Sequence, residues 1–118
     1  MEKSLVDILL PIQKEKKRYF ENYKFYCQKI KEIANESLGE ARVLLFGSIV
    51  KNEWKPDSDI DILIISKNLP ESFEERAKMR TNIKSKIDPF SPFQIHLSTP
   101  EEFKNWYKNF LKNKYWEM

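Results

Sequence analysis

The chain has 118 residues, about two-fifths hydrophobic and one-third charged, with a formal net charge of +3. That length suits one domain with its own core, and the ordinary composition excludes a collagenous, low-complexity or disordered chain. The mild net charge, with Glu interspersed among the Lys and Arg, argues against a dense nucleic-acid footprint, although nucleic acid stays open as a partner. No apolar run reaches the length of a bilayer-spanning helix. The opening MEKSLVDILLPIQKEKK lacks a basic n-region and a small-residue cleavage site, so no signal peptide is expected. Cys27 is the one cysteine, which precludes an intrachain disulfide and fits a reducing, cytoplasmic setting.

The predicted elements run as follows. Tyr19, Tyr23, Tyr26, Ile30 and Ile33, with Phe20, Cys27 and Ala34 alongside, fall at steps of three and four. They describe one long amphipathic helix from about Ile12 to Leu38, its aromatic face serving as core rather than as a cofactor site. Gly39 suits its stop. Pro11 is placed in a first turn or at a break from a short preceding helix. The cluster KEKKR, residues 14–18, reads as a solvated face.

RVLLF, residues 42–46, is a short apolar run ending at Gly47 and reads as a buried strand. SIVKN then makes one or two helical turns. EWKPDS is a loop, with Pro56 and Asp57 as turn formers. DIDILIIS, residues 59–66, is a second strand. A helix follows from about Glu71 to Ile87, apolar at Phe73, Ala77, Met79, Ile83 and Ile87. FQIHLS, residues 93–98, alternates, with Phe93, Ile95 and Leu97 on one face and Gln94 and His96 on the other. Thr99-Pro100-Glu101-Glu102 is a helix start with a capping box. Beyond it, Phe103, Trp106, Tyr107, Phe110 and Leu111 form a wide apolar face, most of it expected in the core. Tyr115 and Trp116 lie past that face and suggest a self- or partner-contact. The fold class is a small mixed α/β (α+β) domain, with a sheet of at least three strands and helices packed on it. Residues 1–39 are a helical segment, and residues 40–113 are the core that bears the motif.

The chemistry gathers in residues 44–66, LLFGSIVKNEWKPDSDIDILIIS. Residues i and i+2 of a strand share a face, so Asp59 and Asp61 project together while Ile60, Ile62 and Ile64 enter the core. Two adjacent carboxylates repel unless a proton or a divalent metal neutralises them. Mg²⁺ favours one or two carboxylates plus phosphate oxygens. Gly47 and Ser48, where a strand gives way to a helical turn, offer main-chain N–H groups and a hydroxyl to a phosphate, and Lys51 adds charge one turn on. Either half alone is also compatible with an ordinary strand-to-helix turn or a solvated strand edge. On adjacent strands the two halves would hold a triphosphate and its metal ions, the arrangement phosphoryl or nucleotidyl transfer requires.

Gly-Ser, ten residues, then Asp-x-Asp opening a hydrophobic strand resembles the signature of the minimal nucleotidyltransferases of the DNA polymerase beta superfamily. The resemblance is specific over residues 43–66. It implies that Gly47 and Ser48 hold the triphosphate, that Asp59 and Asp61 bind catalytic Mg²⁺, and that Lys51 matches a basic position of the family. Asn52 stands where many members have glycine, a mild departure because Asn tolerates left-handed backbone. The family's third carboxylate, on a following strand, aligns with Gln94. Glutamine can ligate through its carbonyl but cannot serve as a general base. His96, on the same face, is either that base or a satisfied histidine at the edge of the core. Asp88 and Glu53 are weaker substitutes.

The resemblance implies Mg²⁺-dependent transfer of a nucleoside monophosphate from an NTP, with ATP expected, to a hydroxyl acceptor. Such proteins often accompany a helical HEPN-domain toxin, as antitoxins that modify it or simply bind it. A catalytically impaired chain that acts by binding such a partner is therefore the alternative. A homo-oligomer would be another source of an acceptor site.

Overall fold

The computed structural model describes residues 4–55 and 57–118, apart from the side chains at 9, 10, 12 and 13. Pro56, expected in the loop, lies outside the described residues. The helical segment is not one helix but two, α1 (Leu5–Glu21) and α2 (Tyr23–Leu38), divided at Asn22. Asn22 leaves the helical region at φ −115°, ψ 29°, and its side-chain amide donates to the Arg18 carbonyl at 2.9 Å. A side chain that competes for a backbone acceptor in this way favours helix ends over interiors. No proline or glycine marks the break. The helix also starts earlier than the periodicity suggests, because Ser4 and Asp7 form a capping box. Pro11 consequently lies inside α1, where it has no N–H to offer the Asp7 carbonyl. Gly39 ends α2 at φ +82°, as expected.

The sheet has four strands in the order β3-β2-β1-β4. β1 (Arg42–Phe46) and β2 (Ile60–Ile65) are antiparallel, and β2 and β3 (Phe93–Ser98) are parallel, joined by the crossover helix α3 (Phe73–Ile87). One face carries Val43, Leu45, Ile60, Ile62, Ile64, Phe93, Ile95 and Leu97 against α1, α2 and α3, forming the larger core with Tyr19, Cys27, Ile30 and Ile83. Ile60, Ile62 and Ile64 thus point where the alternation put them, and the tyrosine face of the first helices is core. Phe73, expected on the apolar face of α3, is instead 81% exposed, because it opens the helix beyond the sheet.

The opposite face buries Leu44, Phe46, Leu63 and Ile65 under the C-terminal helix. That helix is continuous but heterogeneous: α4 (Pro100–Glu102), a π-helical stretch (Phe103–Tyr107) and α5 (Lys108–Leu111). Its capping box forms as expected, and Glu102 also grips Arg76 of α3 at 2.9 Å. Widening the turn from i→i+4 to i→i+5 under-rotates the chain. Phe103, Tyr107 and Leu111 therefore line up on the sheet, while Trp106 and Phe110 turn outward, 76% and 75% exposed. The single apolar face expected over residues 103–111 is corrected in this respect.

A fourth strand, β4 (Tyr115–Glu117), returns antiparallel to β1. Tyr115 packs edge-on against Phe103, and Trp116 lies 5.9 Å from the Tyr23 ring. Tyr115 is thereby half-buried, while Trp116 stays 40% exposed.

Candidate active site

Asp61 sits at the centre of the site. It pairs with Phe46 on one side and Gln94 on the other, so the three share a row on the face beneath the C-terminal helix. Asp59 falls one residue before β2, exposed, and makes no side-chain hydrogen bond or ion pair among the described residues. The strand expected over 59–66 accordingly begins at Ile60, whose N–H donates to the Pro92 carbonyl at 2.8 Å.

β1 ends in one 3₁₀ turn (Gly47–Ile49) rather than one or two helical turns. So short a turn adds little macrodipole, and its anion-binding capacity lies in its main-chain N–H groups. Gly47 has φ +82°, and a Cβ placed there would collide with the Asp61 carboxylate. The two halves of the motif, apart in sequence, therefore touch. Ser48 is half-buried and Lys51 exposed. Asn52 adopts φ +56°, the left-handed conformation its side chain tolerates. The carbonyls of Gly47 and Ser48 accept from the N–H groups of Lys51 and Glu53, which fixes the loop that follows.

His96 lies beside Asp61, with Nε2 3.3 Å from Oδ1, side chains 32% and 28% exposed. Its ring also packs 5.2 Å from Phe46. An ionised carboxylate only accepts hydrogen bonds, so this contact calls for a proton on Nε2, and in a neutral ring Nδ1 is then the acceptor. Gln94 is exposed on the same face. The substitutes fare differently. Asp88 is bound elsewhere: the Tyr19 hydroxyl donates to it at 2.7 Å on the side of the sheet covered by α1. That bond, with the Phe90 N–H, holds its carboxyl below the usual carboxylate range. Glu53 is exposed in the loop, in a depression shared with Lys51 and Lys114 rather than beside Asp61.

Among the described residues no three His, Cys, Asp or Glu side chains gather into a metal cage. The candidate oxygen donors are Asp61, Gln94 beside it on the sheet, and Asp59 just before β2. Hard oxygen donors of this number fit Mg²⁺, which takes few protein ligands and completes its shell from phosphate and water.

A cleft of about 420 Å³ opens over Gly47 and Asp61. Its far wall is Phe110, Lys112 and Lys114, which sequence reasoning did not assign to the site. The only signal for them is the run of alternating lysines after the aromatic helix, and the chain reversal that brings it back is invisible locally.

The nucleotidyltransferase domain family matches residues 27–115. Among solved structures, the chain is similar to a crystal structure of a protein assigned as a nucleotidyltransferase. The two are 30% identical with a TM-score of 0.62, over 79% of this chain and 97% of that one. No curated protein sequence matches the chain. The strand order, the Gly-Ser turn against Asp61 and the extent of the match lead to one assignment: the chain belongs to the nucleotidyltransferase domain family.

Proposed function

We propose that the chain is a Mg²⁺-dependent nucleotidyltransferase that moves a nucleoside monophosphate from an NTP, ATP foremost, to a hydroxyl acceptor. The observation that carries this reading is the contact between the positive-φ turn at Gly47 and the Asp61 carboxylate, with Lys51 beside both. A triphosphate on the turn would place its oxygens against the same carboxylate.

Asp59 and Asp61 would hold the ion, with the Gln94 carbonyl in reach of the same row. Bound there, Mg²⁺ neutralises phosphate charge and orients the leaving group. Gly47 and Ser48 supply main-chain and hydroxyl donors to the triphosphate, and Lys51 opposes its charge. The acceptor oxygen attacks the α-phosphorus, the bond to the bridging oxygen breaks, and pyrophosphate leaves. The acceptor's proton needs a base. Gln94 cannot take it. A neutral His96, with Nε2–H on Asp61, would offer Nδ1 as the proton acceptor. The family resemblance makes a HEPN-domain protein the first acceptor to try.

ATP labelled on the α- or the γ-phosphate distinguishes the outcomes, supplied with Mg²⁺ or EDTA to wild type and to Asp59→Asn/Asp61→Asn. Label moving from the α-position only, with pyrophosphate release and loss in the variant, supports the reading. Transfer of the γ-label would refute it. Mg²⁺-dependent binding without transfer to any acceptor would indicate a chain that binds its partner without modifying it.

A further inference from the structure

The wall of the cleft opposite Asp61 has a composition that core packing does not explain. Phe110 is 75% exposed beside the cleft, turned outward by the π-helical stretch. After Leu111 the chain reverses through Lys112 at φ +50° and Asn113 at φ +63°, consecutive left-handed residues without a glycine. Such backbone costs energy and persists where the surroundings enforce it. The reversal is held by the Lys114 N–H donating to the Leu111 carbonyl at 2.9 Å and by the pairing of β4 with β1. Lys112 and Lys114 thereby join Lys51 in lining the cleft. None of these three ammonium groups is paired with a carboxylate among the described residues. Asp61 is the one acidic residue in the lining. The cleft is thus electropositive, about 420 Å³, and bordered by one exposed aromatic ring. That volume lies within the range of small-molecule sites, roughly 300–1,000 Å³.

We propose that the turn between α5 and β4 recognises the nucleotide. Lys112 and Lys114 act with Lys51 on the triphosphate, and Phe110 stacks on the nucleobase. This deepens the proposed function and rests on it. A ring face reads no hydrogen-bond pattern and accepts every base. The cleft lining otherwise offers the base no buried amide or hydroxyl side chain, so the chain holds all four nucleoside triphosphates comparably.

The test titrates Mg²⁺ with ATP, GTP, CTP, UTP or base-free tripolyphosphate into wild type, Phe110→Ala, Lys112→Gln/Lys114→Gln and Asp61→Asn. All three hairpin positions are exposed, so these variants retain the fold. Phe110→Ala is expected to weaken each NTP about tenfold and leave tripolyphosphate unchanged. The lysine variant is expected to weaken NTP and tripolyphosphate alike, about tenfold or more, and to flatten the salt dependence. The inference is overturned if Phe110→Ala binds NTPs like wild type, weakens tripolyphosphate equally, or affects one base only. It is also overturned if the lysine variant binds like wild type, in which case the basic wall serves an acceptor. If Asp61→Asn abolishes binding while the hairpin variants do not weaken it, this inference fails and the proposed function stands. If wild type binds no Mg–NTP, both fail.

Discussion

Replacing Gly47 by alanine separates a tight turn from a turn built around a carboxylate. Gly39 and Gly47 share φ +82°, where alanine is strained whatever the space around it, and Gly39, at ψ −54°, lies outside the left-handed helical well as well. That strain is at least about 1–2 kcal/mol, the cost of the milder left-handed helical conformation, partly offset by the smaller entropy of the unfolded chain, about 0.4–1 kcal/mol. At Gly39 nothing else is near: the new Cβ would meet only Asn68 Nδ2, at 3.8 Å. At Gly47 it would overlap Asp61 Oδ2 and stand 3.3 Å from Cγ and 3.4 Å from Cβ. Swinging the carboxylate tip cannot clear all three atoms, and the Asp61 main chain is pinned between Phe46 and Gln94. Overpacking of this kind adds about 1–3 kcal/mol. Gly39→Ala should therefore lower Tm by about 4 °C and Gly47→Ala by about 10 °C. Only Gly47→Ala should abolish Mg–ATP binding, because Asp61 must leave its position. Adding Asp61→Ala to Gly47→Ala should recover part of the lost stability. Unchanged Mg–ATP affinity in Gly47→Ala, or no stability recovered on adding Asp61→Ala, would refute the reasoning.

Tyr19→Phe should cost about 1 kcal/mol at neutral pH by removing the bond to Asp88. Burial, then that hydrogen bond, pushes the Tyr19 hydroxyl up to about 12, and Asp88 is held below its ordinary value. The wild-type advantage should therefore be full between about pH 5 and 9. It should shrink as pH falls through the lowered Asp88 value and as it rises from about 10 to 12, which denaturation at several pH values reads directly. Cys27 is fully buried, and burial pushes its thiol up to about 12. A thiol reagent at pH 8 should leave the native chain unlabelled while labelling the denatured chain, whereas rapid native labelling would reveal local opening of α2. Gln94→Glu should place a like charge beside Asp61, lowering stability by about 0.2–1 kcal/mol without metal. Added Mg²⁺ should restore it, and α-label transfer should rise about a hundredfold if the new carboxylate is a better-placed base than His96. A Tm indifferent to Mg²⁺ would argue against an ion at this row.

Elements whose signal is local were legible in the sequence. The alternation in IDILII separates the two faces of β2, Thr99 and Glu102 cap their helix, and Gly39 stops α2 at positive φ. The misreadings all involve a competitor that periodicity does not register. At Asn22 the side-chain amide joins the main-chain N–H on the Arg18 carbonyl, and a long apolar stripe divides there without proline or glycine. Within Phe103–Tyr107 the hydrogen bonds change from i→i+4 to i→i+5, and a face drawn at 3.6 residues per turn then includes Trp106 and Phe110, which point to solvent. β4 is three residues long and exists because β1 offers it an edge.

The site divides along the same line. Gly47, Ser48, Asp59 and Asp61 lie within one hairpin, and antiparallel pairing of β1 with β2 brings the ends of that segment together. Residue type and spacing therefore suffice to find them. Gln94 and His96 share a face by the alternation of FQIHLS, but their place beside Asp61 depends on the parallel register of β3 with β2, which no local pattern encodes. Phe110, Lys112 and Lys114 depend on two facts that no local pattern encodes: a helix turned by its π stretch, and a reversal through left-handed residues that are not glycine. The wall of the cleft that is hardest to read from sequence is also the one built at a cost in backbone energy. A left-handed residue is an ordinary way to end a helix and Asn113 tolerates it, so that cost falls chiefly on Lys112, the C-cap of α5.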